Sequence, residues 1–253
     1  MRLFIDVQGT LIDDVQRLPI PGAVEFIDAL NERSIPYVII TNNTKRRDFL
    51  EYLQGLGFAI DRKRYIDPLM VLGAVLSPRK IASYGVPEFL GVLRHMGYTL
   101  DYQNPEAVVL SVKSDYTFEE FAQIDEFLLQ GAQLIGMHKT SLYAKGGKRY
   151  PGVGALLEMF SFACGVEYSV VGKPSKLFFD QALKKLGSEG YEDVWIISDD
   201  VQGDLMGAAQ LGMKSCFVLS GKFKSAEEIL PRLGFRPDCI APSIKEAAKE
   251  LGV

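Results

Sequence analysis

The stretch Leu3-Phe4-Ile5-Asp6-Val7-Gln8-Gly9-Thr10 decides the fold of this chain. Three apolar residues are followed by an acidic residue and then by a turn that contains glycine. Such a run is typical of a buried strand of a parallel sheet that leads into a loop. The stretch therefore predicts a strand with Asp6 at its carboxyl end.

The segments that follow alternate between helical and strand patterns. After Pro21-Gly22, apolar residues recur at positions 23, 26, 27 and 30, which is the spacing of an amphipathic helix. Tyr37 to Ile40 predicts a second strand, and Arg47 to Leu56 predicts a second helix. Because parallel strands need crossover connections, this alternation predicts an α/β fold with a doubly wound, Rossmann-like parallel sheet.

The later part of the sequence shows the same alternation after a different middle segment. Strands are predicted at Tyr168 to Val171, Val194 to Ile197 and Ser215 to Leu219, and helices near Lys176 to Leu186 and Gly203 to Leu211. The middle has its own apolar strands and helices. We therefore expect residues 1–74 and 172–253 to form the core and residues 75–171 to form an inserted, smaller α/β cap domain.

Composition limits the classes of function. The chain of 253 residues has a formal net charge of -4 and a sequence pI near 5.4, so no basic footprint for nucleic acid is present. Its apolar runs fall short of the roughly 20 residues that span a bilayer, and the N-terminal residues lack the apolar core of a signal peptide. The three cysteines are widely spaced, without a zinc or disulfide pattern. A cytoplasmic protein without a membrane or nucleic-acid partner is expected.

Polar residues follow four of the predicted strands. Asp6, Thr41 and Lys173 each come directly or almost directly after an apolar run, and Asp199 with Asp200 follows Val194 to Ile197. Ligands of open parallel sheets bind beyond the carboxyl ends of the strands. Each residue alone is as compatible with a turn or a helix cap as with a site, but the ordered set favours a shared site.

The residue types in this set suit phosphate chemistry. An aspartate such as Asp6 can attack phosphorus covalently, and Asp199 and Asp204 add oxygens for a divalent cation that offsets negative charge. Thr41 and Asn42 supply a hydroxyl and backbone N–H groups for phosphate oxygens. The pattern predicts a phosphoryl-binding site at this edge of the sheet.

Four segments resemble the motifs of haloacid dehalogenase-like phosphatases. They are Asp6-Val7-Gln8-Gly9-Thr10-Leu11, Ile40-Thr41-Asn42-Asn43, Val171-Gly172-Lys173-Pro174 and Ile197-Ser198-Asp199-Asp200. The Thr-Asn-Asn form and the middle insertion are similar to the p-nitrophenylphosphatase-like branch with a C2-type cap. Within that branch, the segments around Met137-His138-Lys139 and Gly172-Lys173 most resemble the phospholysine/phosphohistidine/pyrophosphate phosphatase group.

The resemblance implies a Mg²⁺-dependent phosphohydrolase that acts on a small phosphorylated metabolite. It assigns Asp6 as the nucleophile that forms an aspartyl-phosphate and Lys173 as the cation that stabilises the phosphoryl group. The implied substrate-binding residues are Gln8, Thr41, Asn42, Asn43 and His138. The implied metal ligands are Asp6, the Gln8 carbonyl and Asp199, with Asp200 and Asp204 close to the metal and one or both acting through water.

The chain departs from the family pattern at Gln8, where these phosphatases normally carry a second aspartate that protonates the leaving oxygen. A glutamine side chain cannot act as a general acid or base near neutral pH. Positioned acid–base groups contribute about 10²–10⁴ in rate. We therefore expect a preference for activated phosphoryl donors, or slow turnover of the aspartyl-phosphate. A smaller departure is Ser198, where the family usually has glycine.

His138 and the cap leave further alternatives. His138 is a candidate substrate contact, although a lone histidine is more often a locally hydrogen-bonded structural residue. Caps of this family often contribute to dimer contacts, so the resemblance allows a homodimer.

Other classes of function use similar residues. A phosphate-binding or phosphate-sensing protein would keep the cleft and the Mg²⁺ site but lose efficient turnover through Gln8. A phosphorylation-switch receiver domain combines comparable groups, but it is usually about the size of one small domain. A dehalogenase would need no Mg²⁺, whereas the Asp199-Asp200 pair and Thr41-Asn42-Asn43 favour phosphate.

Overall fold

A computed structural model describes residues 1–77, 79–145 and 148–253 of the chain. The strands are, in chain order, β1 (Arg2–Asp6), β2 (Tyr37–Ile40), β3 (Tyr65–Ile66), β4 (Lys80–Tyr84), β5 (Thr99–Leu100), β6 (Ala107–Leu110), β7 (Gln133–Gly136), β8 (Leu142–Lys145), β9 (Lys148–Pro151), β10 (Tyr168–Val170), β11 (Val194–Ser198), β12 (Lys214–Val218) and β13 (Cys239–Ala241). The α-helices are α1 (Ala23–Glu32), α2 (Phe49–Gly55), α3 (Pro68–Val75), α4 (Pro87–His95), α5 (Phe118–Leu129), α6 (Val153–Cys164), α7 (Lys176–Leu186), α8 (Met206–Gln210), α9 (Leu230–Leu233) and α10 (Ile244–Leu251). The strands thus alternate with helices along most of the chain.

The described residues form two compact units. The first comprises Met1–Thr41, Asp48–Ile66 and Phe179–Val253, and the second comprises Asn42–Arg47 and Asp67–Phe178. The second unit contains the segment 75–171 that we expect to form a cap. It also takes in residues on both sides of that segment.

A six-stranded parallel sheet forms the centre of the first unit. Its strand order is β13-β12-β11-β1-β2-β3, so β1 lies in the middle between β11 and β2. The chain moves outward from β1 to β3 in one direction and from β11 to β13 in the other. Because crossover connections of parallel strands are right-handed, this order corresponds to a doubly wound sheet. The predicted α/β, Rossmann-like fold class is confirmed.

Burial explains why β1 and β2 read as continuous apolar runs. Leu3, Phe4 and Ile5 are fully buried, and β2 is buried along its whole length. Central parallel strands are covered on both faces, so both faces must be apolar. The helix α1 is amphipathic instead, and it buries the positions 23, 26, 27 and 30 that the sequence pattern indicates.

The second unit has a parallel sheet of its own. Its strand order is β10-β7-β6-β4-β5, and the antiparallel pair β8–β9 forms a separate two-stranded hairpin. The rings of Tyr143 and Tyr150 stack across this hairpin with their centroids 5.5 Å apart. The unit is therefore a small α/β structure with an additional hairpin.

Aromatic side chains fill the core of the second unit between α5, α6 and the sheet. Phe160 is fully buried, and its ring meets the ring of Phe121 edge-on with the centroids 5.6 Å apart. Leu157, Ile124 and Val108 belong to the same buried cluster. This core is continuous and joins the helices to the strands.

The helices within residues 1–77, 79–145 and 148–253 are short or carry polar faces. None of them combines the length and the apolar character that a bilayer-crossing helix needs.

The core of the second unit generates a stability prediction. Phe160→Ala removes a fully buried ring, so we expect the free energy of unfolding to fall by about 3–5 kcal/mol. Phe162→Ala is the matched control, because Phe162 lies on the same helix with 93% of its surface exposed. It should change stability by no more than about 0.5 kcal/mol. Denaturant unfolding of both variants measures this, and equal losses would contradict the described packing.

Candidate active site

Asp6 lies at the carboxyl end of β1, the central strand of the first unit. It pairs in register with Ile40 of β2, while Ile5 pairs with Ile197 of β11. The residues that follow these neighbouring strands, Thr41 and Asp199, therefore lie at the same edge of the sheet. Asp6 is only 4% exposed, so its carboxylate is held in a nearly closed environment.

The loop after β1 turns back sharply on itself. The backbone amides of Leu11 and Ile12 both donate to the carbonyl of Val7, at 2.8 and 3.0 Å, and the amide of Gly9 donates to the carbonyl of Ile12 at 2.8 Å. Gly9 has a φ of +74°, which favours glycine. The acceptors of these three bonds are the carbonyls of Val7 and Ile12. The Gln8 carbonyl, which lies between Val7 and Gly9 in the chain, takes no part in them.

Asp199 is a second buried carboxylate, placed directly after β11. One of its oxygens, Oδ2, accepts a hydrogen bond from the backbone amide of Lys222 at 2.8 Å. A Cβ atom at Gly9 would lie 2.3 Å from this oxygen, and one at Gly221 would lie 1.9 Å from it. Both glycines therefore permit the close approach of the loops to the carboxylate.

The charge of Asp6 perturbs Asp199. Burial, followed by the negative charge of Asp6, raises the pKa of Asp199 to about 8, although the positive charge and the backbone amide of Lys222 act in the opposite direction. Two buried carboxylates whose negative charges act on each other favour the uptake of a positive charge. The arrangement is thus suited to a cation.

Ser198 organises the acidic loop that follows β11. Its hydroxyl donates to Oδ2 of Asp204 at 2.7 Å and accepts from the backbone amide of Asp200 at 3.0 Å. The other end of the turn is capped by Asp200 itself, whose Oδ1 accepts from the amide of Gly203 at 2.9 Å. Ser198, which replaces the usual glycine of the family pattern, therefore holds Asp204 in place.

Lys222 is a functional candidate that the sequence analysis did not assign. Its ammonium lies 2.5 Å from Oδ2 of Asp200. Partial burial acts to lower the pKa of Lys222, but the charges of Asp200, Asp199 and Asp204 outweigh it, so the pKa lies above its ordinary value. A signal was present in the sequence, because Lys222 follows the apolar run of β12 as the other candidates follow their strands.

Gln8 and Thr41 form a neutral pair in the first unit. The Thr41 hydroxyl donates to Oε1 of Gln8 at 2.9 Å, and Thr41 is fully buried. The glutamine oxygen thus serves as an acceptor for a neighbouring side chain. An amide in this position offers hydrogen bonds but no titratable proton.

The other predicted phosphate-binding residues belong to the second unit. Oδ1 of Asn42 accepts from the backbone amide of Lys173 at 2.8 Å, and Nδ2 of Asn42 donates to the Lys173 carbonyl at 3.3 Å. Gly172 makes room for this pair, since a Cβ atom there would lie 2.7 Å from Oδ1 of Asn42. Asn42 therefore positions the backbone of Lys173, whose side chain is buried.

Asn43 and His138 make local contacts in the second unit. The Asn43 side chain donates to the carbonyl of Arg46 at 2.7 Å, which stabilises a turn. Nδ1 of His138, a mostly buried residue, accepts from the amide of Thr140 at 3.4 Å. Substrate contacts of Asn43 and His138 stay predictions.

The acidic side chains of the first unit offer carboxylate oxygens, which are the type of ligand that Mg²⁺ prefers. No group of three His, Cys, Asp or Glu side chains within residues 1–77, 79–145 and 148–253 is arranged to hold a metal. Mg²⁺ usually takes only one or two carboxylates and completes its shell with water and substrate oxygens. Asp6 and Asp199, whose mutual repulsion favours a cation, could supply those carboxylates, and the Gln8 carbonyl could add a further hard oxygen.

Comparisons with known proteins agree with this arrangement. A family model described as "Haloacid dehalogenase-like hydrolase" matches residues 3–99, and one described as "HAD-hydrolase-like" matches residues 170–247. The chain is 30% identical to haloacid dehalogenase-like hydrolase domain-containing protein 2 of Rattus norvegicus, over 89% of this chain and 86% of the relative. It is 29% identical to phospholysine phosphohistidine inorganic pyrophosphate phosphatase of the same organism, over 97% and 92%.

A solved structure shows the same fold. The p-nitrophenyl phosphatase from Archaeoglobus fulgidus superposes with a TM-score of 0.82 at 24% sequence identity, and the match covers 98% of each chain. The fold therefore extends over nearly the whole chain.

The hydrogen bonds of Ser198 generate a prediction. Ser198→Ala leaves the buried amide of Asp200 without its acceptor and Asp204 without its donor, so we expect a loss of about 1–3 kcal/mol in the free energy of unfolding. Ser188→Ala serves as the control, because the Ser188 hydroxyl also makes a hydrogen bond, to Gly190, but is half-buried and can be replaced by water. Denaturant unfolding compares the two. If Ser198→Ala and Ser188→Ala lose the same free energy of unfolding, Ser198 does not support the acidic loop.

Proposed function

Because the chain belongs to the haloacid dehalogenase-like hydrolase family, we propose that it is a Mg²⁺-dependent phosphohydrolase that acts through Asp6 on a small phosphorylated metabolite. The motif-based resemblance is confirmed at the level of this family. A relative that is 29% identical over 97% of this chain is named as a phosphatase of phospholysine, phosphohistidine and inorganic pyrophosphate. That name supports phosphorylated substrates for this chain as well.

One observation carries the proposal. Asp6 and Asp199 are nearly inaccessible carboxylates at the ends of adjacent parallel strands, and burial, followed by the negative charge of Asp6, raises the pKa of Asp199. Burying like charges in this way is unfavourable, and groups of this kind are typical of functional sites, where a ligand compensates the charge. A site that binds a cation together with an anionic phosphoryl group provides that compensation.

Asp6 is proposed as the nucleophile. Its carboxylate oxygen attacks phosphorus, the bond between phosphorus and the leaving oxygen or nitrogen breaks, and an aspartyl-phosphate results. Water then cleaves the phosphorus–oxygen bond to Asp6 and releases inorganic phosphate. Thr41, Asn42 and Lys173 are proposed to bind the phosphoryl oxygens through hydroxyl, backbone amide and ammonium groups.

The proposed metal ligands are carboxylate and carbonyl oxygens of the first unit. Asp6, Asp199 and the Gln8 carbonyl are the direct ligands in this proposal, and Asp200 and Asp204 lie close to the metal, with one or both acting through water. When bound, Mg²⁺ supplies positive charge that screens the phosphoryl group from Asp6. The protein supplies the nucleophile and the phosphoryl contacts.

Gln8 narrows the proposed substrate range. In the structure its side-chain oxygen accepts a hydrogen bond from the Thr41 hydroxyl, and the amide has no acidic proton for a leaving group. Substrates whose leaving groups need little protonation should therefore be hydrolysed best. They include aryl and acyl phosphates, pyrophosphate and phosphoramidates.

The first test is a hydrolysis screen of the full chain, with Mg²⁺ and with EDTA. The substrates are p-nitrophenyl phosphate, pyrophosphate, an acyl phosphate and a phosphoramidate. We expect turnover only with Mg²⁺ and a loss of at least about 10³-fold in Asp6→Asn, because the nucleophile is removed. Asp193→Asn is the matched control, since Asp193 is an exposed aspartate at the opposite end of β11 and should not affect the rate.

Two outcomes of the screen would overturn the proposal. Activity that persists in Asp6→Asn would exclude Asp6 as the nucleophile. A complete lack of hydrolysis by the wild-type protein, combined with tight binding of phosphate, would favour the phosphate-sensing alternative instead.

The second test restores the missing acid. Gln8→Asp should raise kcat on alkyl phosphates by about 10²-fold or more, because a carboxyl group can protonate the leaving oxygen. The gain should be much smaller on p-nitrophenyl phosphate, whose leaving group is already good. Gln8→Asn is the control that changes side-chain length without adding an acid. If Gln8→Asp folds normally and binds Mg²⁺ but gains no activity on any phosphoester, Gln8 does not limit the substrate range.

A further inference from the structure

The segment after β12 is tied to the acidic site by backbone and side-chain hydrogen bonds. The Ser220 hydroxyl donates to the carbonyl of Gly9 at 2.7 Å, and the backbone amide of Lys222 donates to Asp199 at 2.8 Å. Gly221 lies against the Asp199 side chain, where no Cβ atom would fit. The backbone of Lys222 is therefore anchored independently of its side chain.

The Lys222 side chain adds an ion pair to these backbone contacts. Its ammonium contacts Oδ2 of Asp200, and the side chain is about half exposed while that of Asp200 is 26% exposed. The ammonium also acts on Asp199 and Asp204, both of which are buried. Lys222 thus contacts two of the acidic residues directly, Asp200 through its ammonium and Asp199 through its backbone amide.

An ordinary surface ion pair would have little effect on stability. Lys222 differs because Asp199 and Asp204 cannot exchange their protein contacts for bulk water, and because Asp6 adds a further negative charge beside Asp199. Removing a positive charge from such a group leaves buried carboxylates less compensated.

We propose that Lys222 is the resident counter-cation of Asp199, Asp200 and Asp204, which stabilises the metal-free protein and lowers the affinity of the same carboxylates for Mg²⁺. The first part concerns the acidic group alone. The second part rests on the proposed function, because it requires Mg²⁺ to bind there. Lys222 is in this sense a positioning residue, since it acts through the carboxylates.

The two parts of the proposal predict opposite effects of removing the Lys222 ammonium: lower stability of the metal-free protein and higher affinity for Mg²⁺. Without the ammonium, the carboxylates repel one another more strongly, so the metal-free protein becomes less stable. The same change removes a positive charge that repels Mg²⁺, so the ion binds more tightly. Added Mg²⁺ should therefore abolish the stability defect, which a purely structural role of the lysine stem would not predict.

The experiment compares Lys222→Gln with the wild-type protein and two further variants. Lys222→Arg keeps the positive charge and should behave like wild type. Lys224→Gln removes the same charge from the same segment, but the Lys224 ammonium contacts the carbonyl of Ser220 and no carboxylate of the acidic group in the described structure. Thermal unfolding in EDTA, thermal unfolding in Mg²⁺ and calorimetric titration with Mg²⁺ are measured for all four proteins.

In EDTA at low ionic strength, we expect Lys222→Gln to unfold about 2–4 °C below wild type and below Lys224→Gln. Saturating Mg²⁺ should remove this difference, and high salt should reduce it by screening. The dissociation constant for Mg²⁺ should fall about threefold to tenfold in Lys222→Gln and stay unchanged in Lys222→Arg.

Several results would overturn the inference. A defect of the same size in EDTA and in Mg²⁺, or one shared by Lys224→Gln, would show that the charge of Lys222 does not balance the carboxylates. An unchanged dissociation constant would exclude competition with Mg²⁺. If the wild-type protein binds no Mg²⁺, the metal requirement of the proposed function fails, and the comparison in EDTA then decides alone whether Lys222 compensates the acidic group.

Discussion

The burial of two carboxylates, Asp6 and Asp199, is the constraint that shapes this edge of the first unit's sheet. The two carboxylates lie at the ends of adjacent strands of a parallel sheet. Both are almost completely buried, so solvent cannot screen their negative charges. The surrounding backbone compensates part of this charge through the amide of Lys222, and it can approach Asp199 only because Gly9 and Gly221 carry no side chain. The loops that carry Gly9 and Gly221 therefore both pack against the same buried carboxylate.

The remaining acidic residues are held by specific partners. Asp204 is fixed by the Ser198 hydroxyl, while Asp200 both caps the following turn and pairs with Lys222. The Gln8–Thr41 pair at the same sheet edge is neutral. The first unit thus combines a strongly charged group, suited to a cation, with a glutamine at the position where the motif resemblance leads us to expect an aspartate. This combination explains why cation binding and leaving-group chemistry are separate questions for this enzyme.

The second unit is stabilised by different interactions, namely side-chain to backbone hydrogen bonds and an aromatic core. There the Asn42 side chain makes two hydrogen bonds to the backbone of Lys173, a residue 131 positions away in the sequence. The buried aromatic cluster around Phe160 joins the helices to the strands of the same unit. The hydrogen bonds of Asn42 and the buried aromatic cluster therefore both stabilise this unit.

Much of the fold could be predicted from local pattern. Tyr37 to Ile40 was recognisable as a strand because a strand covered on both faces must be apolar at every position, and its bounds agree with the structure. The amphipathic spacing of α1 likewise predicted its buried face. The helix expected at Gly203 to Leu211 is different: the structure has a π-helical turn at Val201–Leu205 and only then α8. The turn is π-helical because the backbone amide of Leu205 donates to the carbonyl of Asp200, five residues earlier, at 3.1 Å.

The sequence by itself determined the α/β class, the family and the strand ends that carry Asp6, Thr41 and Asp199, since periodicity and turn residues are local properties of the chain. Only the tertiary structure decided that Lys222 pairs with Asp200, that Ser198 donates to Asp204 and that Gln8 accepts a hydrogen bond from the Thr41 hydroxyl. The Lys222 and Gln8 contacts join residues that lie far apart in the sequence, and the Ser198 contact depends on the path of one turn. Directions and distances of side chains arise only when the strands are aligned side by side, which no local pattern encodes.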